Sequence, residues 1–217
     1  VRRAIKLLEQ AAQTHGTIES LGAVVHNKQV VNRLAKMGVK VIDSTSQIQG
    51  TVVAVPSHGL GLPELEKLKS DVSIVVDATC PFVRRAQVSA RKLSQAGFQV
   101  VIFGDAEHSE VKAILSSCEG HGIVTTEANI PFSESPKRLG ILSQTTQSTE
   151  HFGEFVKKLI DRVLLDIDEL RIINTICDAT RARQAAACEL ASHSDIILVV
   201  GDINSANTRR LAELCAG

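Results

Sequence analysis

Two cysteines stand where a strand gives way to a helix. In Asp77-Ala78-Thr79-Cys80-Pro81, the apolar run Val72 to Val76 leads into Cys80, and Pro81 follows at a position where helices start. Arg171 to Ile176 reads as another strand, Cys177 ends it, and Asp178 to Leu190 reads as another helix. A sulfur so placed faces the positive end of a helix dipole, which favours the thiolate that binds metals or attacks electrophiles. Either cysteine alone reads as a small residue closing a turn; the recurrence argues for chemistry. Arg84 and Arg85 follow the first, and Arg181 and Arg183 the second. Val1-Arg2-Arg3-Ala4 also repeats Val83-Arg84-Arg85-Ala86, and Cys80 lies three residues before Val83. By that analogy a third cysteine is expected three residues ahead of Val1, so the sequence reads as a fragment.

The unusual polar residues fall at strand carboxyl ends, where open α/β sheets bind ligands. They are His26-Asn27, His58, His108 with Glu110, Thr145-Thr146, and Ser205 to Asn207. Imidazoles, hydroxyls and amides are donors with little fixed charge, and with helix N-termini they suit a phosphate or diphosphate. Neither a Walker loop nor a G-x-G-x-x-G run is present. Glu110 is the carboxylate beside this donor set, able to move a proton or simply to cap a helix N-terminus. His15, His121, His151 and His193 read as surface residues. For Cys80 and Cys177 two chemistries stay open. Well-separated thiolates suit an iron–sulfur cluster, which with three protein thiolates leaves one iron free for substrate. A Cys80–His108 nucleophile for a transferase or hydrolase is the competitor, and a non-catalytic phosphate-binding module is a further alternative. Cys118, Cys188 and Cys215 sit in helical patterns and read as packing residues.

These residues need elements to hold them. Amphipathic helices are expected over Arg2 to Gln13, Lys28 to Met37, Pro63 to Lys69, Phe82 to Leu93, Glu150 to Leu164 and Thr208 to Leu214. Further strands are expected at Ala23 to His26, Val39 to Ile42, Thr51 to Pro56, Gln99 to Phe103, Gly122 to Thr125, Arg138 to Leu142 and Asp195 to Val200. The alternation implies an α/β class with small parallel sheets, divided at 1–80, 81–174 and 175–217. The third region has room for only two strands, a second sign of truncation. With 217 residues, a net charge of zero and scarce aromatics, the chain makes no case for nucleic acid or an anionic membrane. Five widely spaced cysteines and no long apolar run suit a cytoplasmic chain with reduced thiols.

Taken together, the motifs Val25-His26-Asn27, Ser57-His58-Gly59, Asp77 to Pro81, His108-Ser109-Glu110-Val111, Ser143 to Thr146, Thr175 to Thr180 and Asn204 to Thr208 resemble the 4-hydroxy-3-methylbut-2-enyl diphosphate reductase (IspH/LytB) family. They occur in the family's order over nearly the whole chain. The resemblance implies a trefoil of three α/β domains around a [4Fe–4S] cluster, the third domain here incomplete. It implies reductive dehydroxylation, the last step of the non-mevalonate isoprenoid pathway, giving isopentenyl and dimethylallyl diphosphate. Cys80 and Cys177 would then be cluster ligands, the third falling before Val1. His26, His58, His108, Ser205, Ala206 and Asn207 would meet the diphosphate substrate, Thr145 would orient it, and Glu110 would relay protons. The implied electron donor is a ferredoxin or flavodoxin. Ser109 stands where the family usually has Pro, Ala206 where Ser is frequent, and Asp202 has no explanation. Taken alone, the 217-residue chain is expected to bind its cluster poorly and to be inactive.

Overall fold

The computed structural model describes residues 2–132, 135–202 and 205–216. Val1 of the arginine repeat and Asn204 of the last motif lie outside them. The chain divides into two compact units, Val1–Arg84 and Arg85–Gly217, the boundary falling inside one helix.

The first unit runs α1 (Arg2–His15), β1 (Ile18–Leu21), α2 (Lys28–Lys36), β2 (Val39–Ile42), β3 (Val52–Val55), α3 (Leu62–Asp71) and β4 (Ile74–Asp77). Its four parallel strands lie in the order β2-β1-β3-β4. Alternate residues of β3 serve opposite faces, as a doubly covered strand requires. Val52 and Ala54 join Leu8, Ile18 and Leu34, while Val53 and Val55 pack on Leu65 and Leu68 of α3. Gly38 ends α2 at φ +99°, where a Cβ would lie 2.8 Å from the Gly16 carbonyl oxygen. Only glycine fits that stop.

α4 (Pro81–Gln95) leads into the second unit: β5 (Gln99–Phe103), α5 (Ser109–Ser116), β6 (Gly122–Thr125), β7 (Arg138–Ser143), α6 (Thr149–Val163), β8 (Glu169–Ile173), α7 (Asp178–Ala191) and α8 (Ala206–Ala216). Its sheet, also parallel, has the order β6-β5-β7-β8, the same pattern as the first. Val100 and Ile102 pack with α4 and α5, and Val101 and Phe103 with Phe152 and Phe155 of α6. Among the described residues the architecture is thus two parallel-sheet α/β domains.

Three expected strands differ. The first is Ile18–Leu21 rather than Ala23 to His26. Glu19 and Ser20 interrupt its apolar pattern yet are buried, because the Glu19 carboxylate accepts the Gln49 and Gly50 N–H groups, each at 3.0 Å. Those two donors hold the Glu19 carboxyl below the usual carboxylate range. β8 ends at Ile173, so residues 174–176 separate the strand from Cys177, which was expected to follow it directly. Asp195 to Val200 forms no strand: Ile196, Leu198 and Val200 are 87%, 85% and 85% exposed. A β-prone run without a neighbouring strand has nowhere to place its backbone hydrogen bonds.

Candidate active site

The loop after each sheet's third strand anchors the cysteine that follows the fourth. In the first unit the Cys80 N–H donates to the Ser57 carbonyl at 2.9 Å, and the Ser57 hydroxyl donates to the Val24 carbonyl at 2.8 Å. Ser57 and Val24 adjoin the two histidines of this unit. The His26 and His58 rings lie near-parallel, with centroids 6.1 Å apart and planes 23° apart. His26 is exposed, and His58 and Cys80 are half-buried. The structure thus brings His26, His58 and Cys80 to one sheet edge of the first unit.

The Cys80 turn is tied by charge. Asp77 accepts the Thr79 N–H at 3.0 Å and the Thr79 hydroxyl, and the Arg84 guanidinium reaches Asp77 at 2.6 Å and Thr79 Oγ1 at 3.1 Å. Arg3 donates to the Thr79 carbonyl at 3.0 Å. Burial pushes the Asp77 carboxyl up, but the Thr79 donors and Arg84 outweigh it, and the net shift is downward. Pro81 opens α4 directly behind the sulfur, as the sequence suggests.

In the second unit the corresponding carbonyl belongs to Thr145, which accepts the Cys177 N–H at 3.1 Å. Thr145 in turn donates its own N–H to Glu110 Oε1 at 2.6 Å and its hydroxyl to Glu110 Oε2 at 2.8 Å. Glu110 is only 3% exposed. Burial drives its carboxyl above the usual range, against the lowering effect of the two Thr145 donors. A desolvated carboxyl with a raised pKa is what a proton donor needs. His108 caps α5, its Nδ1 accepting the Glu110 N–H at 3.2 Å. In the neutral ring this fixes the proton on Nε2, so the ring's second nitrogen is a donor.

Cys177 is the N-cap of α7 and extends the same chain of contacts. Its Sγ accepts the Thr180 N–H at 3.3 Å and lies 3.0 Å from the Thr180 hydroxyl, which lies 3.3 Å from Asn207 Oδ1. Ser205 caps α8 by accepting the Thr208 N–H at 3.4 Å, and Ala206 opens that helix half-buried. Glu110, Thr145, Cys177 and Asn207 are therefore joined within one unit by consecutive hydrogen bonds. Sequence reading assigned no role to Thr180. The available signal was a hydroxyl three residues after an N-capping cysteine, the spacing at which a side chain meets the cap.

All five cysteines are free thiols. Cys118 is buried, and desolvation pushes its thiol up to about 12, as suits a packing residue. Cys188 is exposed on α7, which corrects the packing role expected of it. His15, His121, His151 and His193 are exposed, as expected. Among the described residues no three His, Cys, Asp or Glu side chains group closely enough to hold a metal by themselves. The Cys177 sulfur, half-buried and receiving a backbone N–H at a helix N-terminus, does fit a thiolate ligand of an iron–sulfur cluster. No helix among the described residues is long and apolar enough to cross a membrane.

Known proteins resemble this chain along its whole length. The family model of the LytB protein matches residues 1–217. The 4-hydroxy-3-methylbut-2-enyl diphosphate reductase of Dehalococcoides mccartyi is 49% identical over 99% of this chain and 76% of its own length. The enzyme of that name from Geobacter metallireducens is 44% identical over 100% of this chain and 76% of its own length. A solved structure of (E)-4-hydroxy-3-methyl-but-2-enyl diphosphate reductase, described as the terminal enzyme of the non-mevalonate pathway, superposes with a TM-score of 0.74 at 35% identity, covering 99% of this chain and 76% of that one. A reductase structure from Plasmodium falciparum shares the fold, with a TM-score of 0.90 at 23% identity over 100% of this chain and 69% of the other.

Proposed function

The chain belongs to the LytB family, and from that premise we propose that its residues serve the reductive dehydroxylation of 4-hydroxy-3-methylbut-2-enyl diphosphate to isopentenyl and dimethylallyl diphosphate, in a reductase whose cluster takes a third thiolate besides Cys80 and Cys177; the 217 residues taken alone are expected to be inactive. The observation that carries the reading is the buried Glu110 carboxyl, held by Thr145 whose carbonyl in turn anchors Cys177. A module that merely bound phosphate would have no use for a desolvated carboxyl, which repels anions once ionised.

Cys80 and Cys177 would supply two of the thiolates that hold a [4Fe–4S] cluster in this reading. When bound, the cluster supplies electrons and a Lewis-acidic iron for cleavage of the substrate's C–O bond. The chain's own residues do the rest. His26, His58, His108, Ser205 and Asn207 offer N–H and O–H donors to the diphosphate, and the start of α8, which Ala206 opens, adds the anion-binding capacity of a helix N-terminus. Thr145 orients the substrate and fixes the Glu110 carboxyl in position. Glu110 gives one of the reaction's two protons to the departing oxygen, which leaves as water; the second proton, taken up by the allylic carbon after the two-electron reduction, is drawn from solvent, and the Glu110 carboxylate is reprotonated for the next turnover. The protein works in the cytoplasm, with a ferredoxin or flavodoxin as electron donor.

Replacing Glu110 by glutamine tests this. The amide preserves the shape: its oxygen accepts the Thr145 N–H and its NH2 donates to a rotated Thr145 hydroxyl. Anaerobic turnover of the reconstituted Glu110→Gln protein should fall by about 10²–10⁴-fold, the usual worth of a positioned acid, while diphosphate affinity stays close to wild type. In the wild type the rate should fall as pH rises through the raised Glu110 pKa, because the donating form is then lost. A reductase with its third thiolate in place that takes up its cluster yet does not reduce the substrate, or its Glu110→Gln variant at full rate, would sink the reading.

A further inference from the structure

Thr180 touches two groups with different jobs. Its hydroxyl lies 3.0 Å from Cys177 Sγ and 3.3 Å from Asn207 Oδ1, its backbone N–H is 3.3 Å from the same sulfur, and the residue is only 2% exposed. Water is therefore excluded as a substitute partner. A hydroxyl has one proton to give, and the two contacts cannot both receive it.

Metal binding decides the direction. A sulfur bound to a metal carries no proton, so the Thr180 hydroxyl must then donate to Cys177. Its oxygen is left to accept, and the group facing it on Asn207 must be the amide NH2. Amide oxygen and nitrogen are interchangeable in shape, so this requires only a half-turn of the Asn207 side chain. One amide proton is thereby committed to Thr180, and the second is aimed elsewhere with a fixed direction.

We propose that Thr180 is a positioning residue that couples the metal-bound Cys177 sulfur to Asn207, presenting the Asn207 amide as a donor to a diphosphate group and, reciprocally, making the charge on the sulfur sensitive to an anion held by Asn207. The proposal rests on the reading of Cys177 as a cluster ligand and Asn207 as a diphosphate ligand. It adds a residue placed in neither role. The hydrogen bond to sulfur stabilises the more negative, reduced cluster, and the bond to Asn207 removes the rotational freedom of a donor that would otherwise be ordered only on binding.

The test uses the anaerobically reconstituted protein as wild type, Thr180→Val, Thr180→Ser and Thr180→Ala, with two readouts that do not depend on turnover: the cluster's reduction potential and calorimetric binding of inorganic pyrophosphate. Valine keeps the branched shape and loses only the hydroxyl. Thr180→Val should move the potential to more negative values and raise the pyrophosphate Kd about fivefold, the worth of one ordinary hydrogen bond. Thr180→Ser should restore both. In an Asn207→Ala background Thr180→Val should still shift the potential but leave the pyrophosphate Kd unchanged. If valine prevents folding, Thr180→Ala gives the same comparison with serine. A wild type that is supplied with the third thiolate and still takes up no cluster overturns the underlying reading. A wild type that takes one up, with valine or alanine variants that match it in potential and pyrophosphate Kd, overturns the role of Thr180 alone.

Discussion

The two units share a strand order and differ in what they place at its carboxyl edge. The residue two places beyond the third strand is Ser57 in one and Thr145 in the other, and each offers its carbonyl to the N–H of the cysteine beyond the fourth strand. Around that common hook the first unit sets imidazoles, His26 and His58, open or half-open to water. The second sets a carboxyl, Glu110, out of water. The same scaffold thus holds groups suited to gripping a solvated anion in one unit and a group suited to giving up a proton in the other. The cysteine turns differ in the same sense. Asp77 and Asn174 both stand three residues before their cysteine, and each side-chain oxygen accepts the N–H two residues on. The first is charged and clamped by Arg84. The second is neutral, and Arg181, at the position matching Arg84, pairs with Asp178 instead.

The largest effect expected from breaking this parallel comes at the sulfurs themselves. If both turns serve as cluster ligands, Cys80→Ser and Cys177→Ser should each lower turnover by more than about a hundredfold, exceeding the usual cost of losing a residue that merely supports a ligand. The visible absorbance of the reconstituted protein should fall in parallel. A Cys80→Ser protein with full absorbance and rate would show that only the second turn carries chemistry.

Which of these features could be read in the sequence follows from their range. Cys80 was legible because Pro81 marks a helix start and the Val72 to Val76 run marks a strand, both local signals. The repeat at Cys177 was legible from the apolar run before it and the helical pattern after it, though no proline marks that helix start. The pairing of Glu110 with Thr145 was not, since it depends on β5 lying beside β7 while β6 is passed to the far edge. β1 was misplaced because Glu19 looks like a surface residue until its two backbone donors are seen. Asp195 to Val200 failed in the opposite direction: composition records a preference for extended backbone, but a strand exists only where a neighbour completes its hydrogen bonds.

A second, smaller effect separates the charged turn from the neutral one. Asp77→Ala removes the acceptor for Thr79 and the carboxylate that pairs with Arg84, itself about a quarter exposed. The loss should be about 2 kcal/mol, a value between those of an exposed and a fully buried ion pair. Hydrogen exchange resolved to the first unit is the measurement, since two units need not unfold together. The pH dependence has a definite sign. Asp77 has its carboxyl held low in the folded protein, so its contribution is complete above the unfolded carboxylate range of about 4 and disappears as pH falls through the folded value. Glu110 behaves in reverse: its raised carboxyl costs nothing in acid and destabilises the second unit as pH rises from the unfolded value through the folded one. Acid should therefore open the first unit, and a rise in pH above the unfolded carboxylate range should loosen the second. A first unit indifferent to acid would mean that the Asp77–Arg84 clamp contributes nothing.

The smallest effect tests whether the neutral turn is neutral for want of a charge or for want of a partner. Asn174 is exposed, and its oxygen accepts the Ile176 N–H at 3.0 Å. Water can take that place, so Asn174→Ala should cost about 0.5 kcal/mol. Asn174→Asp keeps the acceptor and recreates the first turn's chemistry, with Arg181 four residues beyond the cysteine as Arg84 is beyond Cys80. Arg181 would then have two carboxylates to choose between, Asp178 and the new one, and exposed pairs of this kind are worth only about 0–1 kcal/mol. Stability should change by no more than a few tenths of a kcal/mol, about the scatter of ordinary surface substitutions. Asn174→Asp combined with Asp178→Ala should then show Arg181 bound to the new carboxylate, seen as a lowered pKa for residue 174 by carboxyl-resolved NMR. If it does not, the Arg84 clamp owes its geometry to the burial around Asp77 and not to the spacing of the repeat.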